Sequence, residues 1–134
     1  MLINRGRAVT YGLVAILGVV ALQAFNSVAC YQHGFGEFLA ALGTFLLVPL
    51  LPPIIALATA NPLRAVGGCL LFAPWLGLAY YTDCVRPYTG GGASMIYVAV
   101  LFWGTPSSIL GVLVTGPIMR LLGISVAVAG ADAR

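Results

Sequence analysis

The sequence predicts an all-α membrane protein in which four transmembrane helices form an up-down bundle. The 134-residue chain is 61% hydrophobic, only 7% of its residues are charged, and its mean hydropathy is +1.06. Ordinary soluble domains contain about 25% charged residues. So few polar side chains cannot cover a water-exposed surface, and the class of soluble globular proteins is therefore excluded.

The four spans follow from the spacing of the apolar stretches. A helix needs about 20 mainly apolar residues to cross the hydrocarbon core of a bilayer. Such stretches cover approximately residues 8–29, 37–60, 65–81 and 94–122, and together they form one transmembrane domain over residues 1–134. Each stretch is apolar on every face, whereas the strands of a membrane β-barrel would alternate in polarity. The first exceeds the apolar region of a cleaved secretory signal, so we expect it to remain as a helix.

The breaks between the stretches define the connections. Asn61 and Pro62 separate the second span from the third, and because Asn ends helices and Pro starts them, a tight helical hairpin is predicted there. The longest loop runs from Thr82 to Ser94 and contains the run Gly90–Gly92. A weakly apolar tail, residues 124–134, follows the last span.

The arginines predict the orientation. Cytoplasmic loops of membrane proteins carry an excess of positive residues. Arg86 lies on one side of the predicted membrane, and the other five lie on the opposite side: Arg5, Arg7, Arg64, Arg120 and Arg134. We therefore expect a multi-pass protein of the bacterial inner membrane with both termini in the cytoplasm.

Two of the three cysteines fall just outside the membrane on the same predicted face. Cys30 follows the first span and Cys84 follows the third, so they form a disulfide if that face is oxidising and the two residues lie close together. Cys69 falls within the third span and is expected to be a packing residue. A quinone-linked dithiol oxidase would need a reactive Cys-x-x-Cys pair, which this sequence lacks.

Polar residues at the outer ends of the spans form the candidate binding set. Gln23 and Asn26 share a face of the first helix and can hydrogen-bond to neighbouring helices. The alternative is a polar vestibule that binds a ligand, lined by Gln23, Asn26, His33, Glu37, Asp83 and Arg86. No carboxylate falls at mid-membrane, so proton-coupled antiport through a buried acid is not favoured.

Prolines and small residues are dense in the spans. Six prolines predict kinks, either filled by Ser and Thr hydroxyls or lining a substrate path: Pro49, Pro52, Pro53, Pro74, Pro106 and Pro117. Small residues recur every four positions in the last two spans, as Ala73 and Gly77 and as Ser107, Gly111 and Thr115. This spacing allows close packing either within the bundle or against a second membrane protein.

Several chemistries are excluded or not supported. With one histidine, the chain cannot build a two-histidine haem site, a zinc site of Cys and His ligands or a plausible Ser-His-Asp triad, so no metal and no cofactor are expected. The net charge of +3 comes from arginines that set the orientation, so nucleic-acid binding is not supported.

The remaining hypothesis is a small non-catalytic protein that binds another membrane component in the lipid bilayer. It would be an accessory subunit of a membrane complex or an immunity-type protein against a membrane-targeting toxin. The alternative is a small homo-oligomeric transporter or channel. A membrane enzyme whose site is shared with another chain is a third possibility.

Overall fold

Four long helices make up the fold. The computed structural model describes residues 1–86 and 94–128. Its helices are α1 (Arg5–Cys30), α2 (Phe35–Ala58), α3 (Arg64–Val85) and α4 (Ile96–Leu121). All four are long and apolar enough to cross a membrane, which confirms the predicted all-helical class and the number of candidate spans. The glycine run Gly90–Gly92, the end of the tail and Arg134 lie outside the described residues.

Local hydrogen bonds set some of the helix ends. The Asn4 side chain accepts a hydrogen bond from the Gly6 amide at 2.7 Å, so α1 begins at Arg5, before the apolar stretch itself. The Glu37 carboxylate accepts from the Gly34 amide at 2.8 Å and starts α2 in the same way. Arg5 and Arg7, which lie before the predicted first span of residues 8–29, therefore belong to α1, whereas Glu37 was already the first residue of the predicted second span.

The helices alternate in direction. Near the start of α1, Gly12 lies against Leu57 of α2 and Ala65 of α3, whereas Cys30 and Cys84 meet where α1 and α3 end. Hence α1 and α3 run one way and α2 runs the other. We call the end that holds Cys30 and Cys84 the disulfide end, and the opposite end, which holds Arg5, Arg64 and Arg120, the arginine end.

Close packing of α3 on α4 forms the tightest seam of the bundle. A Cβ atom on Gly111 would lie 2.2 Å from the Gly67 carbonyl oxygen, and one on Gly104 would lie 2.6 Å from the Phe72 ring. Only glycine allows the backbones to approach so closely. Nearer the disulfide end, a buried apolar core joins all four helices: Val19, Leu46, Leu50, Cys69, Phe72, Leu76, Ala79 and Val100.

Hydroxyl groups surround the proline near the middle of α4. Pro106 has no amide proton, so the helix hydrogen bond to the Phe102 carbonyl is missing there. Thr105 Oγ1 donates to the Leu101 carbonyl at 2.6 Å, and Ser107 Oγ donates to the Trp103 carbonyl at 2.8 Å. The carbonyls on either side of the freed one are thus held by side chains. The predicted kinks themselves stay a prediction.

Three five-residue π-helical segments interrupt the helices: Asn26–Cys30, Leu42–Leu46 and Tyr81–Val85. The sequence did not predict them, because a stretch that is apolar on every face carries no clear periodicity from which a wider turn could be recognised. The first and third of these segments contain the two cysteines of the bridge. Such segments often occur at functional sites.

A pair of very short strands closes the arginine end. Strand β1 (Leu2–Ile3) pairs in parallel with β2 (Ser125–Val126). The Met1 amine also donates to the Gly123 carbonyl at 2.6 Å, and Gly123 has a φ of +67°, which suits the turn after α4. The segments before α1 and after α4 therefore lie at the same end of the bundle. Two-residue strands are too short to show an alternating pattern in the sequence.

Candidate functional site

The disulfide end contains a covalent bridge. Cys30 and Cys84 are bonded, with their Cα atoms 5.6 Å apart. Their placement at disulfide distance confirms the pairing that the sequence predicted. The bridge ties the end of α1 to the end of α3. Cys69, the third cysteine, is a buried thiol in the apolar core.

A buried hydrogen-bond chain links α1 to α4 below the bridge. Gln23 is only 1% exposed, its Nε2 donates to Ser27 Oγ at 3.1 Å, and its Oε1 accepts from the Tyr97 hydroxyl at 2.9 Å. The Gln23 amide thus acts as both donor and acceptor, as a buried amide must. This arrangement corresponds to the hydrogen-bonding interpretation of Gln23, and the alternative of a ligand-binding residue stays a prediction.

Asn26 connects α1 to α3. Its Nδ2 donates to the Leu76 carbonyl at 3.1 Å, and the side chain is fully buried. Its Oδ1 is also buried and has no hydrogen-bond partner within the described part of the chain. The same is true of Ser108 Oγ on α4. Unsatisfied buried polar atoms are energetically unfavourable, so these two atoms weaken the polar packing of the bundle.

Tyr31 and Asp83 form the polar contact nearest to the bridge. The Tyr31 hydroxyl donates to Asp83 Oδ2. Burial, together with this hydrogen bond to the carboxylate, raises the pKa of Tyr31 above its ordinary value. Asp83 Oδ1 is buried and has no hydrogen-bond partner among residues 1–86 and 94–128. The observed partner of Asp83 is therefore Tyr31.

Aromatic rings enclose a small cavity beside this contact. The Tyr31 and Tyr97 ring centroids lie 5.8 Å apart at a steep angle, and Phe45 packs on Tyr97 at 5.4 Å. The cavity measures about 90 Å³ and is lined by Gln23, Tyr31, His33, Ala41, Phe45 and Tyr97. Buried His33 Nδ1 has no hydrogen-bond partner among the described side chains and backbone. Polar residues stand among its lining, but the atoms that face the cavity are apolar, so a cavity of this size favours a very small apolar ligand over water.

The six predicted binding residues divide into two groups. Gln23 and His33 line the cavity, Asn26 is buried one helical turn beyond Gln23, and Asp83 bonds to the cavity residue Tyr31. Glu37 and Arg86 are exposed. Glu37 holds the start of α2 through the Gly34 amide. Two of the six candidates therefore line the cavity, Asn26 and Asp83 lie beside its lining residues, and Glu37 and Arg86 lie away from it.

The predicted packing residues of α4 face α3. Gly111 is buried against Gly67, and the Thr115 hydroxyl donates to the Gly111 carbonyl at 2.6 Å. Ser107 Oγ accepts from the Trp75 indole of α3 at 2.9 Å. These three residues of α4 therefore pack within the bundle, so Gly111 is not on a surface that a second protein can reach.

The two predicted packing residues of α3 differ from each other. Ala73 is half-buried and packs against the apolar core. Gly77 is exposed, and a Cβ atom there would meet nothing within 4 Å. Of the whole predicted set, Gly77 alone has its side-chain position open to the surroundings.

An exposed aromatic surface on α4 could not be recognised from the sequence. We define the aromatic face as Met95, Val98, Ala99, Phe102 and Trp103, which line a shallow groove of about 500 Å³. Phe102 is 70% exposed and Trp103 is 62% exposed. The adjacent aromatic residues at positions 102 and 103 were the available signal, but a uniformly apolar helix does not reveal which face is outside.

Neither a metal site nor a relative adds to this description. No group of three or more His, Cys, Asp or Glu side chains is placed to hold a metal ion in the described segments. Comparison of the chain with protein-family models, with curated proteins and with solved structures finds no match. The function must therefore be inferred from the geometry of the chain itself.

Proposed function

We propose that this chain is a non-catalytic membrane protein that acts by binding another membrane protein through its aromatic face. It would serve as an accessory subunit of a membrane complex or as an immunity-type protein against a membrane-targeting toxin. The arginine distribution supports a bacterial inner-membrane location with the arginine end in the cytoplasm, because positive residues are retained on that side.

The observation that carries the proposal is the exposure of Trp103. This residue lies seven positions after Ile96, about 10 Å along α4, which places it below the headgroup level if α4 spans the bilayer. The Trp75 indole donates to Ser107 Oγ, whereas the Trp103 indole makes no hydrogen bond within the described residues. An indole N–H facing hydrocarbon lacks an acceptor that a partner helix can supply. Hence a second membrane protein is a better occupant of this face than lipid.

The interior of the bundle supports the same proposal. The polar side chains Gln23, Asn26 and Tyr97 bond within the chain, and Gly111 lies inside the seam between α3 and α4. Recognition of another protein therefore has to use the outer faces of the helices. The aromatic face offers two adjacent, rigid aromatic side chains of the kind that dominate binding energy at protein interfaces.

The cavity at the disulfide end favours a second candidate function, a homo-oligomeric transporter or channel. Gln23 and His33 line it, and the His33 Nδ1 atom is unpartnered among the described residues. The buried apolar side chains Leu46, Phe72 and Val100 belong to the core of the same bundle. Because they fill its centre, a path for a polar substrate would have to run between copies of the chain.

Gentle extraction from the native membrane followed by native mass spectrometry tests the proposal. We expect the wild-type chain to be recovered with a stoichiometric unrelated chain, and the double variant Phe102→Ala/Trp103→Ala to lose it. Leu17→Ala on α1 is the matched control, because Leu17 is 64% exposed and lies outside the aromatic face. A defined homo-oligomer, or a partner retained by the double variant, would contradict the proposal. A homo-oligomer would direct attention to transport and to Gln23→Leu in a flux assay.

A further inference from the structure

A second groove lies between α2 and α4 at the arginine end. It measures about 260 Å³ and is lined by Pro52, Ile55, Ala56, Thr59, Arg64, Ile109, Val112 and Leu113. All of these residues except Thr59 and Arg64 are apolar. Pro52 lies on α2, and Thr59 directly follows the last residue of that helix. The seven positions between them correspond to a length of about 10 Å along the helix axis. The groove is therefore apolar along its length and has the guanidinium group of Arg64 at one end.

Arg64 is held in place at the end of this groove. Its guanidinium lies over Gly116, where an added Cβ atom would come within 2.8 Å of Nη2. The Arg64 Nε atom is buried and has no hydrogen-bond partner in the part of the chain that the structure describes. A guanidinium with a buried, unsatisfied donor lacks the acceptor that its planar fork requires.

A second arginine reaches the same end of the groove. Arg5 Nη2 donates to the Thr59 carbonyl at 3.4 Å, and Thr59 is one of the lining residues. The carboxylates within the described residues are Glu37, near the start of α2, and Asp83, near the end of α3, and both lie at the disulfide end. Two positive groups therefore flank Thr59, and the described residues place no carboxylate beside them.

We propose that this groove binds an anionic phospholipid, with an acyl chain along the apolar residues and the phosphate on Arg64 and Arg5. A guanidinium forms paired, charge-assisted hydrogen bonds with phosphate oxygens, and the two arginines disfavour a zwitterionic headgroup because its cation would lie beside them. Basic pockets between membrane helices recognise anionic headgroups in this way. The apolar walls favour a lipid over free phosphate. This site is separate from the aromatic face, so it does not depend on the proposed partner.

Native mass spectrometry of the purified full chain in mild detergent tests the site. The probes are phosphatidylglycerol and phosphatidylcholine with the same acyl chains. We expect the chain to retain one phosphatidylglycerol and to bind phosphatidylcholine about tenfold more weakly, because both lipids carry the phosphate but only phosphatidylcholine brings a choline cation beside the two arginines. Arg64→Gln should reduce phosphatidylglycerol binding about tenfold, whereas Arg120→Gln, an exposed arginine of the same end outside the groove, should not.

A groove-filling variant separates a shaped site from simple charge attraction. Leu113 is 59% exposed and lines the groove, so Leu113→Trp should obstruct the acyl chain while all arginines remain. We expect this variant to lose phosphatidylglycerol as Arg64→Gln does. Equal binding of both lipids, or equal losses in Arg64→Gln and Arg120→Gln with none in Leu113→Trp, would overturn the proposal. If Arg64→Gln fails to fold, the Leu113→Trp result decides.

Discussion

The two ends of the bundle are held together by different means. At the disulfide end, a covalent bridge joins α1 to α3, and buried polar side chains bond to one another beneath it. At the arginine end, the backbones of α3 and α4 pack against each other at Gly67 and Gly111, and two-residue strands pair the segments that flank the bundle. The disulfide end is thus held by a covalent bond and side-chain hydrogen bonds, whereas the arginine end is held mainly by the close packing of helix backbones.

This difference indicates where each end can interact with other molecules. At the disulfide end, Gln23, Asn26 and Tyr31 bond within the chain, and the atoms without a partner among the described residues, such as Asn26 Oδ1 and Asp83 Oδ1, are buried acceptors. At the arginine end, Arg64 retains an unsatisfied donor within the described residues, and Arg120 is exposed. The site proposed for an anionic headgroup is therefore at the arginine end, whereas the aromatic face lies on the half of α4 nearer the disulfide end.

Removal of the bridge is the largest expected perturbation. The double variant Cys30→Ser/Cys84→Ser opens a loop whose ends are 54 residues apart. In the chain-entropy model, a disulfide that closes a loop of this length reduces the entropy of the unfolded chain, which stabilises the folded state by about 4 kcal/mol. We therefore expect a large decrease in the free energy of unfolding, measured in mixed detergent and SDS micelles.

The control for the bridge is the third cysteine. Cys69→Ala keeps the disulfide and removes one buried sulfur atom, so its effect should be only about 1 kcal/mol. Addition of a reductant should destabilise the wild type and this control alike, and leave the double serine variant unchanged. Equal stability of the oxidised and reduced wild type would show that the disulfide end does not depend on its bridge.

The glycine seam should give the next largest effect. In Gly111→Ala the new Cβ atom would lie 2.2 Å from the Gly67 carbonyl oxygen, so α3 and α4 must move apart. Overpacking of this kind destabilises proteins by about 1–3 kcal/mol. The same unfolding assay measures the loss, and the bridge should remain intact because it lies at the opposite end.

Gly77→Ala is the matched control for the seam. It introduces the same methyl group into α3 at a position with nothing within 4 Å. Alanine favours a helix over glycine by up to about 1 kcal/mol, so this variant should be neutral or slightly more stable. If Gly111→Ala behaved in the same way as Gly77→Ala, close packing could not be what holds the arginine end together.

The sequence predicted the features that depend on composition and on separation along the chain. Apolar stretches of sufficient length predicted four spans, and the positions of Cys30 and Cys84 after the first and third spans predicted their pairing. The first inference needs only the length of the apolar stretches, and the second also needs successive helices to alternate in direction. The predicted grouping of polar residues was less informative, because Glu37 and Arg86 lie near the others along the helix ends but outside the cavity.

Features that depend on helix rotation could not be predicted. In an aqueous domain, polar residues mark the outer face of a helix, but every face of these helices is apolar. The sequence therefore did not distinguish buried Gly111 from exposed Gly77, and it did not show that Phe102 and Trp103 face outwards. The π-helical segments that contain the cysteines have more residues per turn than an α-helix. They therefore change the direction in which later side chains point, which the α-helical repeat of 3.6 residues does not predict.

The Tyr31 contact gives the smallest effect and concerns the disulfide end alone. Burial and the hydrogen bond to Asp83 raise the pKa of Tyr31 above its ordinary value of 10.0. The folded chain therefore keeps a proton that the unfolded chain releases above pH 10. The stability from this group is complete below pH 10 and is lost as the pH rises from there towards the raised pKa.

Titration of the tyrosine absorbance, with unfolding measured at each pH, should show both effects. In Tyr31→Phe, the free energy of unfolding should decrease less above pH 10 than it does in the wild type. Tyr81→Phe, which removes the hydroxyl of an exposed ring, should leave that decrease unchanged. If Tyr31 ionised near its ordinary pKa of 10.0, the contact with Asp83 would not protect its proton, and the polar network at this end would be open to water.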